Sequence, residues 1–515
     1  PLSIDRRQRQ MCIRDRLSPS FMKKAQVETL DERIQTFDDP EFYCLLGEQQ
    51  LQNGHTDKAL GFFQTAVKMD PSLTRGWFGH GMVYTNEGEF AASIKYFQKA
   101  IDLQPELAIA HHNLGRSLHE VGQSDLAYGS FQKSINLGFS ATLKEVAIFI
   151  PGCPSATNQT VLEERRKWAD SIPRPTTDKP GKHAVNRDIS KACLKIGYVS
   201  AFFHQGNWMK VVWGLIDQHN RENFQVHLFS DRAKLTPAIQ KHLQPADRFH
   251  DMTDLSNEEA AAAIAKQEID ILVDLNGHSY PGRFPVFMHR PAPLIIAWFN
   301  VYATTGFDCF DYLVGDDCVI PRSEEPWYCE KIARMDGSYL AFGVAYDVPE
   351  VSEPPCIENG FVTFGSLISQ YKITEKVIDA WCEILERSPG SRLLIRNAAL
   401  GKQSNRHFLR SQFINRGIAD ERILLEGPAP HFEFLKTYNR IDIALDAFPY
   451  NGGTTTIEAL WQGVPVVAFW GDRWVSRTSA TILRTAGFAD LVAESPHDYI
   501  HLAGHLGENP EQLKS

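Results

Sequence analysis

Glycine, phenylalanine and proline recur along this chain at one step of 34 residues: Gly47, Gly81 and Gly115, then Phe63, Phe97 and Phe131, then Pro71 and Pro105. Ala66, Ala100 and Ser134 keep the same interval. A period of this length admits few folds, because each unit is one supersecondary element that cannot bury its apolar face alone and must stack on its neighbours. Small residues let two antiparallel helices approach closely, aromatic rings fill the space between them, and prolines end each unit where a helix cannot continue.

Within the second unit, Trp77, Gly81, Tyr84, Phe97, Ala100 and Pro105 fall at the offsets of the tetratricopeptide pattern. Residues 40–140 are therefore expected to form about three such helical repeats. Two roles are open to them, a packed solenoid without ligand or a groove that holds a polypeptide partner. The segment ahead of the repeats reads differently. Pro1 is not an initiator, and Arg6–Arg16 (RRQRQMCIRDR) has neither helical nor strand periodicity. Residues 1–20 are expected to be a non-native or disordered segment, of the kind an adapter read-through leaves. Ser515 interrupts an unfinished helical pattern, so the chain is read as a fragment.

At 515 residues the chain exceeds what one hydrophobic core serves. Residues 141–191, rich in Pro, Thr, Asn and Lys and including IPRPTTDKPGKH at 172–183, read as a linker. Beyond them, apolar β-branched runs alternate with amphipathic segments: LKIGYVS (194–200), FQVHLFS (224–230), IDILVDLNG (269–277), FVTFGSL (361–367), RLLIRN (392–397), RILLEG (422–427), IDIALDAF (441–448) and PVVAFWG (465–471). This alternation predicts parallel sheets with crossover helices. The Pro- and Glu-rich VPEVSEPPCIEN at 348–359 divides the strands into two sets, 192–347 and 360–515. The expected architecture is a helical repeat array followed by two Rossmann-like α/β lobes, with a ligand crevice at the carboxyl ends of their strands.

Composition narrows the function classes. A formal charge of -10 argues against a general nucleic-acid binder. The nine cysteines lie at 12, 44, 153, 193, 309, 318, 329, 356 and 382, without the close spacing of a zinc site or redox pair. Free thiols in a reducing cytoplasm fit this pattern. The longest apolar runs, Pro291–Trp298 and Val464–Trp470, are far shorter than the roughly 20 residues a membrane span needs. The expectation is a cytoplasmic protein with neither membrane nor nucleic acid as partner.

The most informative segment is DAFPYNGGTTTIEALWQGVPVVAFWGDRWVSRTSATIL (446–483). A strand ends near Phe448, a turn with Asn451, Gly452 and Gly453 follows, and Thr454, Thr455 and Thr456 open a helix whose inner face is expected to be Ile457, Leu460 and Trp461. Unpaired N–H groups and the positive dipole end suit such a terminus to a diphosphate. Glycines admit the phosphate closely and threonine hydroxyls add donors. An ordinary threonine cap on a buried helix is the competing account.

This segment, with GHSYPGRFPVFMHRPAPLIIAWFNVYATTG (277–306) and FGSLISQYKIT (364–374), resembles the catalytic region of the O-linked N-acetylglucosamine transferases and their SPINDLY-like bacterial and plant relatives. The resemblance runs from about Leu194 to the end, and the repeats complete the family's architecture in its bacterial form. It implies a GT-B fold and a nucleotide-sugar donor, UDP-N-acetylglucosamine first, held mainly by the C-terminal lobe. Inverting transfer to Ser or Thr hydroxyls of a protein follows, with no metal or other cofactor. Thr454, Thr455 and Thr456 match the run that touches the donor diphosphate, with Asn451, Gly452 and Gly453 leading into it. Glu458 stands where the family has an acid for the ribose. Lys372 matches the lysine that neutralises the departing diphosphate, work that a fixed cation and a helix terminus perform without a metal. His250, in ADRFHDMTDLS, matches a family histidine. His278 follows the strand IDILVDLNG, where either a structural hydrogen bond or a catalytic part is open to it.

The chain departs from that pattern where relatives read S-x-D-F-x-x-H. Phe202 holds the acid position and Gly206 the histidine position, with His204 two residues earlier. Ile368 replaces an asparagine, and Phe434 a histidine for which His431 is the nearby substitute. A general base is sought among His204, His250 and His278. Two other readings stand beside transfer of N-acetylglucosamine: a GDP-fucose-dependent protein O-fucosyltransferase, and a scaffold that binds partners through the repeats and keeps an inactive transferase region.

Overall fold

The computed structural model describes residues 38–175, 193–232, 234–344 and 346–514. The expected non-native segment 1–20 and the stretch 176–191 of the expected linker lie outside the described residues. The array consists of three antiparallel helix pairs: Pro40–Gln52 with Thr56–Met69, Thr74–Asn86 with Phe90–Leu103, and Ala108–Glu120 with Ser124–Asn136. Its period is steric in origin. A Cβ on Gly47 would sit 2.8 Å from the Phe63 ring, one on Gly81 2.5 Å from Phe97, and one on Gly115 2.6 Å from Phe131. The three rings are fully buried, as are Ala66, Ala100 and Ser134. Each ring contributes about 1.5–3 kcal/mol by leaving water, and a larger residue at the facing glycine would expel it.

Two helices, Thr142–Phe149 and Asn158–Ser171, occupy the region expected to be a linker. The expectation of an irregular connection is corrected here. Val161, Glu164, Arg165 and Trp168 share the buried face of the second helix, a spacing of three and four residues that marks a helix. Thr157 caps it by accepting the N–H of Thr160. Arg165 donates to the carbonyls of Ala147 and Val301, both at 3.0 Å, and of Thr304. Arg473, from the far end of the chain, donates to Pro151 and Cys153 at 2.9 Å and to Ala156. Two buried guanidinium groups thus fasten these helices to both lobes.

The first lobe carries a seven-stranded parallel sheet in the order β3-β2-β1-β4-β5-β6-β7. Its strands are β1 Leu194–Ser200, β2 Phe224–Ser230, β3 Arg248–Asp251, β4 Ile271–Asp274, β5 Leu294–Ala297, β6 Tyr312–Gly315 and β7 Lys331–Arg334. The second lobe carries six parallel strands in the order β10-β9-β8-β11-β12-β13. These are β8 Thr363–Ser366, β9 Arg392–Arg396, β10 Ile423–Glu426, β11 Ile443–Leu445, β12 Val466–Phe469 and β13 Val492–Ala493. Strand order reverses between β1 and β4 and again between β8 and β11, and ligands of open α/β sheets bind outside the carboxyl ends at such points. No helix among the described residues is long and apolar enough to cross a membrane.

Candidate active site

A cleft of about 420 Å³ lies between the lobes, lined by residues that follow strands on both sides. Trp208 and Lys210 come from the helix Gly206–Gln218 after β1, Ser279 follows β4, and Tyr302 follows β5. From the second lobe come Leu367, Ile368, Ser369, Tyr371 and Lys372 after β8, Asn397 after β9, His431 and Phe434 after β10, and Tyr450, Gly453, Thr454, Thr455 and Glu458 after β11.

Lys372 is fixed within this cleft. Its Nζ donates to the Asn451 carbonyl at 2.7 Å and lies 4.0 Å from the centre of the Tyr450 ring. Burial pulls its proton affinity down to about 8, with the Asp446 carboxylate opposing. The ammonium is held ready but has little water around it, which suits a group meant to meet anionic charge.

The glycine–threonine turn is built from behind by a buried carboxylate. Asp446 Oδ1 accepts the N–H of Gly452 at 2.7 Å and of Ala447 at 2.9 Å, and burial raises its pKa to about 6. A Cβ on Gly452 would meet Thr456 Oγ1 at 2.6 Å and Thr455 Oγ1 at 2.8 Å, so only glycine lets the chain fold back onto the helix Thr454–Trp461. Asn451 is buried, donating to the Ala447 carbonyl at 2.8 Å. Thr456 pairs with Ser479 at 2.7 Å. Among the residues expected at the donor, Gly453, Thr454 and Thr455 line the cleft, while Asn451, Gly452 and Thr456 stand behind it and shape it. Of the expected inner face of this helix, Ile457 and Leu460 pack against the cores of the two lobes, and Trp461 is corrected. The buried residues of the helix are Thr456, Glu458 and Ala459, and Trp461 is 52% exposed. The helix turns its carboxylate toward the other lobe, and the aromatic ring rotates outward with it.

Glu458 forms an ion pair with Lys210 across the lobes, both side chains 4% exposed. Lys210 Nζ also donates to His431 Nε2 at 2.8 Å and lies 4.4 Å from the Tyr346 ring centre. Burial and the Lys210 charge lower the His431 pKa to about 4, so its ring is neutral and accepts. Burial pushes Lys210 down and Glu458 up, and their attraction opposes both shifts. Sequence reasoning missed Lys210. The available signal was a lysine inside the apolar run WMKVVW directly after β1.

A second cavity of about 250 Å³ shares Ser279, Tyr302, Tyr371 and Tyr450 with the cleft, and adds His278 and Asn300 together with Arg116, His119 and Glu120 of the array. His278 Nε2 lies 3.0 Å from the Thr305 carbonyl. A carbonyl only accepts, so this nitrogen carries the proton and Nδ1 has the free lone pair. Nδ1 is buried without a protein partner. Burial, with the Arg165 charge, holds this histidine well below its ordinary pKa, hence neutral.

The other two candidate histidines do not reach either cavity. His204 is exposed, its Nε2 3.4 Å from Gln205 Nε2. His250 sits on β3, the outermost strand, two strands removed from the switch point. Its ring stacks on Phe229 at 4.5 Å and its Nε2 lies 3.0 Å from His227 Nδ1. Neither lines the cleft or the second cavity: His250 sits at the edge of the sheet, and His204 is exposed in the turn after β1.

The model of glycosyl transferase family 41 matches residues 175–353 and 355–515, and that of a tetratricopeptide repeat matches 74–107. The chain is 30% identical over 327 residues, 62% of its length, to the probable UDP-N-acetylglucosamine–peptide N-acetylglucosaminyltransferase SPINDLY of Petunia hybrida. It is 27% identical over 353 residues to the probable enzyme of the same description, SEC, of Arabidopsis thaliana, covering 66% of this chain and 36% of that one. The chain spans about a third of the length of these curated relatives, 35% for the Petunia protein. Among solved structures, a lysine-to-methionine variant of the Thermobaculum terrenum O-GlcNAc transferase superposes with a TM-score of 0.78 at 28% identity, covering 92% of this chain and 90% of that one.

Proposed function

The chain belongs to glycosyl transferase family 41, and from that premise we propose that it is an inverting, cytoplasmic transferase that moves N-acetylglucosamine from a UDP donor to Ser or Thr hydroxyls of a polypeptide. The relatives named above are described as probable UDP-N-acetylglucosamine–peptide N-acetylglucosaminyltransferases and as an O-GlcNAc transferase. The observation that carries it to this chain is the Lys372 ammonium, anchored on the Asn451 carbonyl beside the open helix start at Gly453–Thr455.

The donor diphosphate lies against the N–H groups and hydroxyls of Thr454 and Thr455. As the acceptor oxygen attacks the anomeric carbon, the bond from that carbon to the diphosphate breaks and negative charge grows on the leaving UDP. Lys372 and the helix terminus take up that charge from positions fixed beforehand, so the step needs no metal. The acceptor enters through the second cavity, where the neutral Nδ1 of His278 accepts the hydroxyl hydrogen and orients the oxygen for attack. Glu458, midway along this helix, and Lys210, from the facing helix of the other lobe, hold the nucleoside. The repeats present the polypeptide, since the array supplies Arg116, His119 and Glu120 to the acceptor cavity.

UDP release from UDP-N-acetylglucosamine, measured with the mass gained by a Ser/Thr-rich polypeptide, tests this reading. Equal release and mass gain with the wild type, both strongly reduced in Lys372→Ala, are expected. Release with no mass gained would contradict protein transfer, and neither with any donor would favour an inactive scaffold.

A further inference from the structure

The array touches the catalytic region at the very segment that bears Lys372. Each repeat turns at a glycine of positive φ, and these glycines are 34 residues apart: Gly54 at +78°, Gly88 at +74° and Gly122 at +87°. Their surroundings differ. A Cβ on Gly54 would meet nothing within 4 Å, and one on Gly88 would lie 3.6 Å from the Lys402 side chain. A Cβ on Gly122 would lie 2.2 Å from the Ile373 carbonyl oxygen and 3.3 Å from that of Gln370. The third turn is therefore packed backbone to backbone against the short helix Gln370–Lys372.

One turn earlier, His119 is inserted between two rings, stacked on Phe149 at 4.5 Å and on Tyr371 at 5.1 Å. Tyr371 meets Tyr450 edge-on at 5.8 Å, and Tyr450 is the ring beneath Lys372 Nζ. A continuous chain of contacts thus leads from the array through Tyr371 and Ile373 to the residue between them. The second repeat's turn holds the same lobe independently: Asn405 donates to the Gly88 carbonyl at 2.8 Å and accepts the Ala91 N–H at 3.0 Å.

We infer that the array is a working part of the donor site: Gly122 and His119 are positioning residues that fix the Gln370–Thr374 segment, and with it the Lys372 ammonium, inside the cleft. The inference rests on the proposed role of Lys372 at the leaving diphosphate. It makes leaving-group stabilisation depend on how the third repeat sits, so a polypeptide that shifts this repeat changes the rate of the chemical step.

The repeat supplies its own control. Alanine at Gly54 or Gly122 meets the same backbone penalty of a positive φ, but only Gly122→Ala collides with Ile373. The first readout is the pH dependence of amine-directed labelling at Lys372, located by peptide mass spectrometry, which needs no donor. Asp446, Tyr371 and Tyr450 are the titratable groups that face this amine. The wild type and Gly54→Ala are expected to label with a midpoint near 8, and Gly122→Ala and His119→Ala with one moved toward the ordinary 10.5. The second readout is UDP release, with kcat lowered about 10²-fold in Gly122→Ala and His119→Ala and restored relative to His119→Ala by His119→Phe, which keeps the stacked ring. Identical midpoints and rates in Gly54→Ala and Gly122→Ala would overturn the inference. Should Gly122→Ala not fold, equal behaviour of His119→Ala and wild type overturns it instead. A wild type that labels near 8 yet transfers no sugar would contradict the proposed function and leave this comparison intact.

Discussion

Lys372 concentrates the chemistry of this site into one titratable group. Its proton affinity is lowered to about 8 by burial, so the ammonium is present below that pH and lost above it. The ratio kcat/KM reports the free enzyme and is predicted to fall as pH rises through about 8. Lys372→Ala is predicted to cost about 10²–10³ in kcat, the usual scale for removing one fixed stabiliser of developing charge, and to abolish that alkaline limb. The neighbouring threonines separate cleanly by direction. Thr456→Val removes the 2.7 Å partner of the buried Ser479 hydroxyl, which keeps the Gly452 carbonyl at 3.3 Å, and is predicted to cost about 0.5–1.5 kcal/mol in thermal or denaturant unfolding. Thr455→Val, at the cleft wall, is predicted to leave stability alone and weaken nucleotide binding in titration.

At the scale of elements, the helix Thr454–Trp461 meets the helix Gly206–Gln218 from the other lobe through Glu458 and Lys210. Removing one partner of a buried pair strands the other charge, so Lys210→Met is predicted to lower stability by about 3–5 kcal/mol, and Lys210→Met with Glu458→Leu to recover most of it. Equal losses in the single and double variants would contradict an interlobe ion pair. These elements also show what the sequence carried. The array was legible because its glycines and rings answer one another at a fixed step, and β1 and β2 because their apolar runs are long and bounded. The strands β3, β5, β6 and β7 were not read, although β4, β8, β10, β11 and β12 are no longer and were read from the extended apolar runs that contain them. The helix Asn158–Ser171 was lost in a Pro- and Thr-rich neighbourhood despite its buried stripe. Lys372, Gly453, Thr454, Thr455, Glu458 and His431 were singled out from local motifs and all line the cleft. Tyr302, Tyr371 and Tyr450 lie inside the quoted motifs but were not singled out, and Lys210 lies outside them, since only the meeting of two lobes brings these side chains together. His250 was chosen for its match to a family histidine and His204 for its nearness to a family position, and neither lines the cleft or the second cavity.

For the molecule as a whole, the bridging helices and two arginines make the array and both lobes one mechanical unit. Arg473 reaches three carbonyls of the 151–156 segment. Arg473→Ala is predicted to cost about 3 kcal/mol or more by leaving buried acceptors unpaired, and to raise amide hydrogen exchange in that segment first. The array then adds a route by which a bound polypeptide acts on the donor site, through the third repeat and the Lys372 segment. All of this depends on the cleft being a nucleotide-sugar site. Calorimetric titration of the protein with UDP, GDP, UDP-N-acetylglucosamine and GDP-fucose, beside Lys372→Ala, tests that most directly. The account predicts selective binding of the uridine compounds, weakened by the substitution. Binding of none of the four would contradict it and leave a repeat scaffold with an idle transferase region.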